Sequence, residues 1–163
     1  MTKPEQARFQ ELVDAARQYC RLIEARSDRT GWLHALMRVL PRLHAGIADL
    51  HGEQGYPLPA GGTDLDDRFV LFSRLSRRLG ELDRYWLEYD QPGGAGRDDR
   101  SGSLADDLTD IYFELRHGLD LLEAAGDEEV ARLWECGFHR HWGQHLVDAE
   151  RHLYHLRASN RLS

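Results

Sequence analysis

The chain has 163 residues, of which 41% are hydrophobic and 30% charged, with a formal net charge of −7. That length suits one domain around one core, and the apolar content excludes a wholly disordered chain. The acidic balance argues against nucleic acid as a partner, because phosphate contacts need a basic surface. The basic residues Arg74, Arg77 and Arg78 are flanked by Asp66, Asp67, Glu81 and Asp83 and read as a mixed, solvated face.

The first helix is expected over 4–25. Pro4 is tolerated in a first turn, where its missing N–H has no helical partner, and Phe9, Leu12, Val13, Ala16, Cys20 and Ile23 recur at helical spacing. The polar stretch 1–8 that opens it has no apolar signal region. No apolar run approaches the ~20 residues that span a bilayer, so the expectation is a cytoplasmic protein with no membrane contact. The second helix is expected over 30–50, with a heptad-like seam of Leu33, Leu36, Leu40, Leu43, Ile47 and Leu50. Pro41 lies inside it and predicts a kink or split near 39–40.

Segment 51–63 holds four glycines and two prolines and reads as a loop. A third helix is expected over 64–90, with Thr63 or Asp64 as its cap and Phe69, Phe72, Leu75, Leu79, Leu82 and Trp86 as its stripe. The glycine-rich stretch 91–102 reads as a second loop. It is no phosphate cradle, since no strand precedes it, no GK[ST] ends it and Asp98 and Asp99 repel an anion.

Ser103 caps a fourth helix over 103–125, with Leu104, Leu108, Ile111, Leu115, Leu119 and Leu122 along one face. Gly126 closes it, and a fifth helix is expected over 127–156, followed by a polar tail, 157–163. No strand pattern is apparent. The pattern predicts an all-α fold, an antiparallel bundle of about five amphipathic helices. Cys20 and Cys136 fall on different helices and form neither a disulfide framework nor a CxxC site.

Histidines cluster in the fifth helix: five of nine fall between His139 and His155. At ~100° per residue, His141, His145 and His152 point within ~40° of one another, on the side of Trp134 and Phe138. His141 and His145 stand at i and i+4, the spacing by which one helix offers two imidazoles to a metal. In the fourth helix Asp107, Asp110 and Glu114 share one stripe. If the two stripes face each other, carboxylates and imidazoles meet, which is how metal sites are built in bundles. Asp107, Asp110, Glu114, His141 and His145 are therefore the candidate ligands of a divalent metal, with His152 as an outer member. Neither HExxH nor ExxH is present, and the alternative is structural: solvated acids on a helix flank and histidines hydrogen-bonded at a core edge. Tyr85, Tyr89, Tyr112 and Trp142 are the candidate binding surface. Gly118 and Gly143 are expected to face each other and let the last two helices approach.

The stretches Tyr19-Cys20 to Ile23-Glu24, Leu40-Pro41, Tyr85-Trp86 with Asp90, Ser103-Leu104-Ala105-Asp106-Asp107-Leu108 with Asp110-Ile111-Tyr112, and His141-Trp142-Gly143 with Leu146-Val147 occur in a familiar order. They resemble a bacterial family known as domain of unknown function 5063, over about residues 9 to 156. The resemblance implies a small helical cytoplasmic protein and assigns it no activity or cofactor. It draws attention to Asp107, Asp110, Tyr112, Trp142 and Gly143 without giving them a role.

Three functions are compatible with these residues. The first is a non-enzymatic interaction or accessory protein with an unidentified protein partner and no cofactor; the seam of the second helix is compatible with a homo-oligomer. The second is a metal-binding bundle using carboxylates of the fourth helix and histidines of the fifth. The third, resting on charge alone, is an acidic inhibitor or immunity-type protein.

Overall fold

The computed structural model describes residues 1–50, 64–90 and 97–162. The expected loop 51–63 and positions 91–96 of the second loop lie outside the described residues.

Helix α1, Lys3–Glu24, buries Phe9, Leu12, Val13, Ala16, Tyr19, Cys20 and Ile23. Helix α2, Arg29–Ala48, starts where the Asp28 carboxylate accepts from the Gly31 N–H at 2.7 Å. It runs through Pro41 without the expected split. Proline removes only one backbone hydrogen bond, and the fully buried Leu40 and Leu43 on either side hold the helix to the core.

Helix α3, Leu65–Leu79, ends well before the expected 90. Gly80 takes φ +57° and ψ −126°, a conformation that favours glycine. A single 3₁₀ turn, Gly80–Leu82, follows, and then a hairpin of β1, Arg84–Asp90, and β2, Arg97–Ser103, paired antiparallel from Arg84↔Ser103 to Asp90↔Arg97. The helical stripe expected to run on to Trp86 therefore breaks: Leu75, Leu79 and Leu82 are buried, but Phe69 and Trp86 are 67% and 74% exposed. The expected loop 91–102 is strand from 97 onward.

Asp83 fixes this junction. It is buried, accepts from Ser76 Oγ (2.9 Å), Ser103 Oγ (2.9 Å) and the Ala105 N–H (2.7 Å), and its carbonyl accepts from the Leu104 N–H (2.9 Å). One carboxylate thus ties the end of α3 to the start of α4, Leu104–Ala125, which Ser103 also caps.

Helix α4 is central, packing against α1, α3 and the last two helices. Those are α5, Asp127–Gly137, and α6, Gly143–Ala158, joined by a π-helical turn, Phe138–Trp142. The expected helix over 127–156 thus forms without a break but contains a π turn at 138–142, and the polar tail adds the buried Leu162 to the core. The glycines do not face each other. A Cβ on Gly118 would lie 2.1 Å from Trp134 Nε1, and one on Gly143 would lie 2.5 Å from the carbonyl oxygen of Phe138 in the preceding π turn. Gly118 makes room for an indole, and Gly143 serves the π turn. The fold is an all-α bundle that, among the described residues, carries one small hairpin. Among the described residues no helix is long and apolar enough to cross a membrane.

Candidate metal centre

Helix α4 turns Asp107, Asp110 and Glu114 toward the π turn and α6, which carry His141 and His145. The spacing i, i+3, i+7 puts the acids on one face, and that face meets the imidazoles. His145 Nδ1 lies 2.8 Å from Asp107 Oδ1 and His145 Nε2 lies 3.1 Å from Asp110 Oδ2. His141 Nδ1 lies 3.1 Å from Glu114 Oε1 and His141 Nε2 lies 3.8 Å from the same Asp110 Oδ2. One ligand atom each from Asp110, His141 and His145 falls within 4.8 Å of the others.

In each imidazole the Nδ1 side is held by a carboxylate, to which an Nδ1–H donates. The Nε2 atoms of both rings are then aimed at one oxygen. A neutral imidazole with its proton on Nδ1 presents a lone pair at Nε2, and a lone pair facing an anionic oxygen at 3.1 Å needs a proton or a metal ion between them. The other oxygen of Asp110 is occupied: Arg68 Nε donates to Oδ1 at 2.8 Å, while Arg68 Nη2 donates to Asp106 at 2.7 Å. Arg68 therefore orients Asp110 and leaves Oδ2 to the histidines.

Burial shapes the electrostatics. Asp107 and Asp110 are 3% and 8% exposed. Burial pushes the Asp107 carboxyl up to about 6, against the lowering effect of hydrogen bonds from His145 and Tyr85. For His145, burial acts to lower the pKa, but the hydrogen bond to Asp107 and the charges of Asp110, Asp107 and Asp106 together outweigh it and raise the value.

The structure brings together Asp107, Asp110, Glu114, His141 and His145, sets Tyr85 against them, and separates His152, Tyr112 and Trp142. His152 is no outer member of the cluster. Its Nε2 bonds the Leu82 carbonyl at 2.6 Å, its ring lies 4.8 Å from that of Tyr85, and burial lowers its pKa. Of the candidate binding surface, Trp142 is fully buried, its Nε1–H donating to the Trp134 carbonyl at 3.1 Å, so it is core. Tyr112 turns to α1, its hydroxyl donating to Glu24 at 2.8 Å. The side chain of Tyr89 lies outside the described residues. Tyr85 does reach the site: its hydroxyl donates to Asp107 Oδ2 at 2.5 Å. Arg68 and the Tyr85 contact leave no signal in local spacing, because both come from elements distant in sequence from α4.

An all-α bundle with a small hairpin, carrying a histidine–carboxylate cluster between its central and last helices, describes the class of protein. The chain belongs to the family described as Domain of unknown function (DUF5063), whose model matches residues 4–159. Its fold is similar to the crystal structure of protein BF1032 from Bacteroides fragilis, with a TM-score of 0.67 and 22% identity over 89% of each chain. No curated protein matches it.

Proposed function

We propose that the protein binds a divalent transition metal between α4 and the segment formed by the π turn and α6, with Asp110, His141 and His145 as ligands. One observation carries this: both histidines direct Nε2 at the same Asp110 oxygen, with both Nδ1 atoms held by carboxylates. Two histidines and one carboxylate are a donor set for Zn²⁺ or non-haem Fe²⁺. Metal-bound histidines commonly donate their other N–H to a carboxylate, the part Asp107 and Glu114 would play. Ligand atoms around a tetrahedral ion of this kind stand about 3.3 Å apart, so the 3.1 Å separation already fits and the 3.8 Å one needs a small contraction. The π turn supports the same reading, because such turns concentrate at functional sites.

The test is metal uptake. Chelator-stripped protein is titrated with Zn²⁺, Fe²⁺ and Mn²⁺ by calorimetry, and metal content is measured by plasma mass spectrometry, beside the His141→Ala/His145→Ala variant. Near-stoichiometric binding lost in the variant is the expected result. Equal uptake by both proteins, or none by either, removes the proposal.

An interaction role is the second reading. Leu65, Phe69, Val70 and Trp86 are between 65% and 79% exposed on α3 and the hairpin, and exposed large apolar side chains mark contact surfaces when they adjoin. Light scattering during size exclusion decides its homo-oligomeric form: a monomer at all workable concentrations removes it.

A further inference from the structure

Beside the histidine–carboxylate cluster lies a cleft of about 390 Å³, bounded by the hairpin, α3, α4 and α6. Phe72 and Tyr85 supply aromatic wall, Asp107, Asp148 and His145 line it from the helices, and the exposed Arg84 stands at its rim. This volume falls within the range of small-molecule sites.

The carboxylates along the cleft are not equivalent. Both oxygens of Asp107 are engaged, by Tyr85 and His145, and Asp106 is held by Arg68. Asp148 is only 8% exposed, yet its single hydrogen bond comes from the neutral Gln144 amide, 3.1 Å from Oδ1. Its second oxygen accepts no hydrogen bond among the described residues and is not sealed from solvent, since the residue lines the cleft. A largely buried carboxylate oxygen that opens into a cleft, with only a neutral amide on its neighbour, is a ready acceptor for a cationic donor. The convergent set of possible metal ligands is Asp110, His141 and His145, without Asp148. An ammonium group, by contrast, needs only one carboxylate and is further stabilised by aromatic faces.

We propose that this cleft binds a small organic cation, an ammonium or guanidinium group on an apolar body, with Asp148 as its charged anchor and Phe72 and Tyr85 against the body. The inference stands on the cleft and on Asp148 and does not depend on the metal.

The test uses the full-length, chelator-stripped protein. Benzylammonium is titrated against it by ¹H–¹⁵N correlation spectroscopy, with benzyl alcohol and phenylacetate as neutral and anionic counterparts. Saturable shifts of the amides around Gln144, Asp148 and Gly102 are expected for benzylammonium alone. Asp148→Asn should weaken that binding about tenfold or more, as loss of a charge-assisted hydrogen bond does. Arg84→Glu, at the exposed rim, should tighten it. Equal binding of benzyl alcohol, unchanged affinity in Asp148→Asn, or no saturable shift overturns the proposal. Should Asp148→Asn fail to fold, Arg84→Glu decides: unchanged or weaker benzylammonium binding overturns it equally. Loss of metal uptake would leave this proposal standing, and the reverse also holds.

Discussion

Three residues set the properties of the site and its surroundings most directly. Tyr85 reaches His145 through Asp107, fixing the carboxylate to which the imidazole donates. Carboxylates behind a histidine ligand typically change metal affinity 10- to 100-fold when removed. Tyr85→Phe, one atom further out, should weaken Zn²⁺ binding by roughly tenfold or less, read by competition with a chromophoric chelator while the far-ultraviolet spectrum stays that of the wild type. His152 makes a pH prediction. Its folded pKa is lowered from 6.5 by burial, so the unfolded chain takes up the proton first. The stability tied to its neutral form is intact above the unfolded value and is lost as pH falls below it toward the lower folded value. His152→Gln removes that titration, so urea melts in chelator should show a smaller loss between about pH 7 and pH 5 than in the wild type. Gly118 is legible only in three dimensions: its missing Cβ is where the Trp134 indole sits. Gly118→Ala should destabilise by about 1–3 kcal/mol through overpacking, although alanine is the better helix former; an unchanged urea midpoint would contradict it.

Among the elements, α1, α2 and α4 follow from their apolar periodicity, whereas α3 and the last helix do not follow so simply. A stripe through Leu75, Leu79, Leu82 and Trp86 is compatible with one long helix, and spacing alone cannot report that Gly80 adopts φ +57°. The hairpin is hidden for a related reason. Strand β2, Arg97–Ser103, has no apolar residue, and its pairing with β1 is a long-range choice. Asp83 makes that choice local by joining α3, the hairpin and α4. Asp83→Ala should cost about 2 kcal/mol or more, because it removes a helix cap and leaves buried donors unpaired. Hydrogen exchange should then accelerate first at Leu104, Ala105 and β2.

For the molecule as a whole, metal binding is linked to folding. The ligands come from elements that only the folded chain brings together, so an ion that binds the native state stabilises it, by about 2.7 kcal/mol at a free concentration of 100 Kd. Thermal melts should therefore shift upward with added metal in the wild type and not in His141→Ala/His145→Ala. The sequence by itself determined the all-α class, the stripes that become the core and the residue types of the candidate site, because helical periodicity and composition are local properties. It also put Asp107, Asp110 and Glu114 on one face of their helix and His141 and His145 on one face of theirs. Only the tertiary structure decided that these faces meet, that His152 turns to the Leu82 carbonyl, that Trp142 is core, and that Arg68 and Tyr85 hold the acids in place. Those outcomes depend on which helix packs against which, and the pairing is fixed by the shape of the whole core rather than by the spacing within any one segment.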